Sequence, residues 1–186
     1  MRIISGFLKG KRIKYTKNII TRPLRDSVKE NIFNILRHSS LVKTKLENAN
    51  ILDLYSGVGS FGIESISRGA EKVTFIEKDY NASNILKDNL TKLSVIKKSK
   101  IFNDKIENIL IKGIKEKFHI IFLDPPYADN SFCNNLKLIK KNKIFKTKHI
   151  VIIHREKKTD DNFNDLLNVI ETKIYGRSKI IFGVFN

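Results

Sequence analysis

The chain has 186 residues, room for one domain with a small appendage, and 41% of them are hydrophobic, so a sizeable core is possible. Lysine and arginine number 36 against 19 acids, a net charge of +17, which suits a polyanionic partner and nucleic acid first. Cys133 is the single cysteine, which excludes an internal disulfide or a cysteine metal cluster and fits a reducing cytoplasm; no signal peptide is evident, and no apolar run reaches the length of a membrane span.

Residues 2–15 read as two short strands, RIIS and KRIKY, joined through Gly6 and Gly10 as a ribbon outside the main domain. Pro23 forces Arg22 into an extended conformation. Ser27 and Glu30 have the spacing of a capping box, and Val28, Ile32, Ile35 and Leu36 recur at helical spacing to about Arg37. Lysine is abundant along the whole chain, so it is weak evidence for a binding site. Arginine is a better witness: only eight occur, and five of them (Arg2, Arg12, Arg22, Arg25 and Arg37) lie in the first 37 residues. Arginine forks onto phosphate oxygens. We therefore expect residues 1–48 to form a basic extension whose Arg2, Arg12, Arg22, Arg25 and Lys29 contact RNA.

Residues 39–49 are a polar connection. Residues 49–186 then alternate: strand 50–54, helix 60–69, strand 72–76, helix 81–93, strand 99–103, helix 105–112, strand 118–123, helix 131–141, strand 149–154, helix 162–169, and a closing antiparallel pair near 171–175 and 179–185. The strands are apolar runs (VTFI, HIIFL) rather than alternating ones, which predicts an α/β domain whose mostly parallel sheet is covered on both faces. The lysines between Lys137 and Lys148 read as a solvated face.

The stretch ILDLYSGVGSFGIESISRGA (51–70) runs from a strand through a glycine turn into a helix. Gly57, Gly59 and Gly62 fit G-x-G-x-x-G, and Glu77 lies twenty positions after Gly57, at the end of the next apolar run. Glycine lets the backbone bend sharply and approach a nucleotide, and an acid after the second strand suits a ribose hydroxyl pair. Asp53 sits inside the strand, four residues before Gly57. A buried carboxylate there repels a pyrophosphate and suits an ammonium or sulfonium group, which points to S-adenosylmethionine rather than a dinucleotide. The pattern D-x-x-x-G-x-G, with an acid after the next strand, resembles class I methyltransferases.

About seventy residues further on, the strand FHIIFL runs into Asp124-Pro125-Pro126-Tyr127, which holds two of the chain's three prolines. Adjacent prolines remove two backbone donors and stiffen the loop. What remains is a rigid edge of acceptors, the Asp124 carboxylate and the Pro125 carbonyl, beside an aromatic ring that can stack on a base. Two acceptors holding both hydrogens of an exocyclic amine turn its lone pair toward an incoming methyl group. D-P-P-Y resembles the amino-methyltransferase motif.

In their order, TRPLRDSVKENIFNIL, LDLYSGVGSFGIESISRGA, FIEKD, IFNDKIENIL, FLDPPY and the terminal YGRSKIIFGVF resemble the RsmD family over nearly the whole chain. The resemblance implies a class I methyltransferase Rossmann-like sheet of seven strands, mostly parallel, with an antiparallel final pair. It implies a cytoplasmic, S-adenosylmethionine-dependent enzyme that methylates the N2 amine of a guanine in 16S rRNA, guanine 966 by analogy. The expected setting is a small-subunit assembly particle, with no metal, no membrane and a monomeric protein. By the same resemblance, Asp53, Gly57 and Gly59 hold the methionine part of the cofactor, Glu77 the ribose and Asp104 the adenine amine. Asp124, Pro125, Pro126 and Tyr127 hold the guanine, and Arg22 and Pro23 lie over the site. The family usually has Arg where Lys29 stands, so a forked contact at that position is in doubt. The rival readings are an amino-methyltransferase acting on DNA adenine or protein glutamine, and a non-catalytic RNA-binding assembly protein. His38, His119, His149 and His154 are expected to be packing or surface residues.

Overall fold

A computed structural model describes residues 1–15, 24–129, 131–163 and 166–186. The elements are α1 (Asp26–His38), β1 (Asn50–Leu54), α2 (Ser60–Ser67), β2 (Lys72–Ile76), α3 (Tyr80–Lys92), β3 (Ser99–Phe102), α4 (Ile106–Lys112), β4 (Phe118–Leu123), α5 (Phe132–Lys141), β5 (Phe145–Glu156), β6 (Leu167–Tyr175) and β7 (Ser178–Phe185). The strands form one seven-stranded sheet in the order β3-β2-β1-β4-β5-β7-β6. β3, β2, β1, β4 and β5 run parallel, and β7 pairs antiparallel with β5 and β6. The expected parallel sheet with a closing antiparallel pair is therefore present.

Strand side chains alternate between two cores. Ile51, Phe75, Phe122, Ile152 and Phe182 pack with the N-terminal segment, α1, α2 and α3 on one face. Leu52, Leu54, Ile76, Leu123 and Ile153 pack with α4 and α5 on the other. Burial on both faces is why these strands read as continuous apolar runs. Among the described residues, no helix is long and apolar enough to cross a membrane.

Three local expectations change. Helix α1 begins at Asp26, one residue ahead of Ser27, and its N-cap, Arg25, makes no side-chain cap bond, so the Ser27–Glu30 capping box does not form. The helix expected over 162–169 is replaced at its C-terminal end by β6, an edge strand bonded along its length to β7. Val169, Ile170 and Thr172 are β-branched, and cross-strand pairing decides the matter over helical spacing. The N-terminal ribbon has a single bridge, Arg2 to Arg12, and it does not stand apart. Its Ile3, Leu8 and Ile13 join the core cluster beside α1, α2 and α3.

That docking runs through Glu64, which α2 carries into the core with no exposed surface. Its carboxylate accepts from the backbone N–H of Ile4 at 2.8 Å and of Ser5 at 3.0 Å, and from Arg68 Nε at 2.7 Å. Lys29 Nζ lies 3.6 Å from the same carboxylate and is itself fully buried. Burial holds the Lys29 ammonium below its ordinary pKa, against the pull of Glu64 and Asp26. Gly6 lies so close to α2 that an added Cβ would stand 1.8 Å from the Ser67 carbonyl oxygen, which fixes a glycine there. Lys29 consequently offers no ammonium to a polyanion; its expected RNA contact is corrected to a buried ion pair joining α1 to α2.

Replacing Glu64 by Ala removes the nearer of the two carboxylates beside the buried Lys29 ammonium, leaving only Asp26 at 3.8 Å, and strips two backbone donors of their acceptor. The expected cost is about 3–5 kcal/mol, read as a lower denaturant midpoint. A loss below about 1 kcal/mol would contradict this account of the docking.

Candidate active site

The order of strands reverses about β1, whose two neighbours are β2 and β4. In an open parallel sheet the crevice for ligands lies beyond the carboxyl ends of the strands at such a point. A cavity of about 1010 Å³ opens there, lined by residues that include Asp53, Gly57, Glu77, Asp124, Tyr127 and His154.

On the β1 side, Gly57 and Gly59 have φ of +54° and +90°, values open to glycine at little cost, and Gly59 caps α2. Gly62 donates its N–H to Asp53 Oδ2 at 3.0 Å; an added Cβ would meet the Phe75 ring at 2.2 Å. The third glycine of the pattern thus lets the helix sit on the strand. Asp53 is 1% exposed. Burial pushes its pKa well up, Asp124 and Glu77 push it further, and the Gly62 N–H opposes them. Glu77 accepts from Gly57 N–H at 2.7 Å and from Asp79 N–H at 2.8 Å, one bond to each carboxylate oxygen. Each oxygen keeps a lone pair for a ligand hydroxyl. Three carboxylates facing one cavity favour a ligand with a positive charge, and the glycine turn and Glu77 fit a nucleoside. The donor set therefore fits S-adenosylmethionine.

On the β4 side, Asp124 follows Leu123 directly. Its carboxylate is held at Oδ1 by His154 Nδ1 at 2.8 Å, and His154 Nε2 lies 2.9 Å from Ser178 Oγ. The loop after it is clamped from below. Arg155 Nη1 donates to the carbonyls of Pro126 and Asp129 at 3.2 and 3.3 Å, and Nη2 donates to the Tyr127 carbonyl at 3.3 Å. The Pro125 carbonyl is not among them. Arg155 is 1% exposed; Asp161 Oδ1 accepts from its Nε at 3.0 Å, and its guanidinium lies 4.5 Å over the Phe132 ring. A latch also ties the two loops together. Tyr55, in the left-handed region at φ +60°, donates its hydroxyl to Asp129 Oδ2 at 3.1 Å, and burial followed by the Asp129 charge raises its pKa.

The structure thus brings Asp53, Gly57, Glu77, Asp124, Pro125, Pro126 and Tyr127 to one cavity, with Gly59 one residue behind its wall. Asp104 does not line it. Its carboxylate accepts from Lys105 N–H, Asn108 and Lys112 just ahead of α4, whose N-cap is Lys105, while Lys105 and Ile106 reach the cavity. Arg12 and Arg25 are exposed, and Arg2 is exposed with its Nε 3.6 Å from Asp26. Met1, Tyr15 and Leu24 line the cavity, so the basic N-terminal segment borders its mouth. Arg22 and Pro23 lie outside the described residues. Tyr55, Asp129, His154, Arg155, Asp161 and Ser178 were not singled out from the sequence as site residues. A histidine and an arginine in succession at the end of an apolar strand were the one local sign, since polar groups buried there need partners.

The chain matches the family described as conserved hypothetical protein 95 over residues 1–184. Ribosomal RNA small subunit methyltransferase D of Haemophilus influenzae is 31% identical over 159 residues, 84% of this chain and 79% of that protein. The structure of Escherichia coli yhhF superposes with a TM-score of 0.84 at 24% identity, over 100% of this chain and 98% of that one. An RNA methyltransferase of Salinibacter ruber, solved with S-adenosyl-L-homocysteine, gives 0.62 at 12% identity over 87% and 92%.

Asp53 yields a test by pH. With its pKa raised, it holds a proton in the free protein at pH values where an ordinary aspartate, near 3.8, has lost it. A cation bound beside it favours the carboxylate, so binding releases that proton. Affinity for S-adenosylmethionine should rise with pH between the ordinary and the raised pKa and level off above. Calorimetry in buffers of different ionisation enthalpy should show the release, and Asp53→Asn should abolish it. An affinity flat across that window in the wild type would contradict the assignment.

Proposed function

This chain belongs to the RsmD family, matched as conserved hypothetical protein 95, and on that premise we propose that it methylates the exocyclic N2 amine of a guanine in small-subunit rRNA. It is an S-adenosylmethionine-dependent methyltransferase. The family analogy names guanine 966 of 16S rRNA as the target, in an assembling small-subunit particle, with the protein acting as a monomer in the cytoplasm. The observation that carries the reading is the meeting of a nucleoside cradle at Asp53, Gly57 and Glu77 with a stiff edge of acceptors at Asp124 and Pro125.

S-adenosylmethionine supplies an electrophilic methyl group on a sulfonium. The chain's own residues bind and orient. Asp53 and the glycine turn face the charged amino-acid part, Glu77 accepts from the ribose hydroxyls, and Ile106 provides an apolar wall. Asp124 Oδ2 and the Pro125 carbonyl accept the two N–H bonds of the target amine, so its lone pair points away from the ring plane. Tyr127 stacks on the base, which has to leave its own stack first, at less cost in a loop than in a duplex. The amine nitrogen grows positive as it is alkylated, Asp124 interacts with it more strongly then than before, and the nitrogen returns to neutrality by losing one of its two N–H protons. Arg2, Arg12 and Arg25 are exposed on the N-terminal segment that supplies Met1, Tyr15 and Leu24 to the cavity wall, and they offer phosphate contacts that position the RNA without reading its bases.

The test is a substitution series read in two assays. Asp124→Ala should lower turnover roughly 100- to 1,000-fold and leave S-adenosylmethionine affinity nearly unchanged. Asp124→Asn keeps an acceptor oxygen and should retain part of the rate. Tyr127→Phe keeps the ring and should stay active, whereas Tyr127→Ala should weaken RNA binding. An Asp124→Ala protein turning over at the wild-type rate would sink the mechanism.

A further inference from the structure

The Asp124 carboxylate is not free to turn. One of its oxygens, Oδ1, is held by His154 Nδ1 at 2.8 Å. A carboxylate only accepts hydrogen bonds, so Nδ1 carries the proton. In the neutral ring Nε2 is then an acceptor, and the Ser178 hydroxyl, 2.9 Å away, donates to it. The bonds run in one direction, from Ser178 Oγ–H to Nε2 and from Nδ1–H to Asp124 Oδ1. The carboxylate fixes the tautomer, and the Ser178 hydroxyl, free to donate, completes it and holds the ring in place.

The three residues come from three places. Asp124 begins the loop after β4, His154 is near the end of β5, and Ser178 opens β7 after the hairpin Tyr175-Gly176-Arg177-Ser178. His154 pairs with Ile180 across the antiparallel ladder, which puts Ser178 on the diagonal of the same sheet face. The histidine side chain is 7% exposed, the Asp124 side chain 20%. His154 also meets the Tyr127 ring edge-on, at 6.0 Å between centroids and 79° between planes. One buried imidazole therefore meets two side chains of the Asp124–Tyr127 loop, the acceptor and the stacking ring.

We infer that His154 is a positioning residue for methyl transfer, and that Ser178 acts through it: together they hold Asp124 so that Oδ2 alone is presented to the target amine. This rests on the amine-methylation reading above. The closing β6–β7 hairpin thereby serves the active site, through the hydroxyl it delivers beneath the histidine. Without the imidazole N–H, the carboxylate is released to rotate about its side-chain bonds, and an acceptor misplaced by about 1 Å costs on the order of 100-fold in rate.

The test uses full-length protein, S-adenosylmethionine and small-subunit particles from cells lacking the protein. Asparagine carries an N–H where histidine carries Nδ1; glutamine carries its N–H where histidine carries Nε2. His154→Leu and His154→Gln should lower kcat about 100-fold, with the Kd for S-adenosylmethionine and the KM for particles changed little. His154→Asn should recover most of that loss. Ser178→Ala should fall between. Independently of activity, nitrogen-15 spectra of the wild type should show His154 protonated at Nδ1, with a downfield Nδ1–H resonance that disappears in Asp124→Ala. Wild-type turnover by folded His154→Leu, or His154→Asn as slow as His154→Leu, overturns the inference. Should either leucine or asparagine variant fail to fold, a wild-type histidine without a proton on Nδ1 overturns it alone. Wild-type protein that binds S-adenosylmethionine but methylates no guanine would instead overturn the functional reading, and the spectra would still decide the Asp124–His154 bond.

Discussion

The site depends on one pairing between strands that are distant in sequence. β1 lies parallel to β4, with Asp53 opposite Phe122 and Leu54 opposite Leu123. In that register the chain leaves both strands at the same level, so the glycine turn and the Asp124 loop begin side by side. Phe61 from α2 stacks on Phe122 from β4 at 3.9 Å, a second contact that keeps the two halves at a fixed separation. The latch from Tyr55 to Asp129 closes the same junction from above. A slip of one residue would turn Asp53 to the opposite face of the sheet and dismantle the cradle.

Buried carboxylates organise this strongly basic molecule from within. Asp53, Glu64 and Glu77 are 1%, 0% and 6% exposed, and each accepts from backbone N–H groups of a neighbouring segment. Glu64 anchors the N-terminal segment to α2, Asp53 seats α2 on β1, and Glu77 ties the glycine turn to the end of β2. Asp161 does comparable service between Arg155 and Lys179, cations that face each other across the β5–β7 ladder and would otherwise repel. With these acids turned inward, lysine and arginine dominate outside. That leaves a positive field suited to steering RNA toward the cavity mouth.

What the sequence disclosed and what it hid divide by range. The glycine turn and the Asp-Pro-Pro-Tyr loop were legible because their chemistry is local: backbone φ, missing donors and an acid within a few residues. The sheet was legible from its apolar runs. His154, Arg155 and Ser178 were not, because their roles come from the antiparallel register of β5 on β7 and from a loop some thirty residues away in sequence. Lys29 was misread for the same reason. At the open start of a helix a lysine looks solvated, and only the packing of α1 on α2 shows that it is sealed against Glu64. Helical spacing at 162–169 misled because an edge strand with one paired side has little apolar pattern of its own.

The most direct measurement is the identity of the product. Small-subunit particles from cells lacking the protein, incubated with it and labelled S-adenosylmethionine, should yield labelled N2-methylguanosine on nuclease digestion and mass spectrometry. Label in N6-methyladenosine, or no label in RNA from a preparation that binds the cofactor, would contradict the account of a guanine amine held between Asp124 and the Pro125 carbonyl.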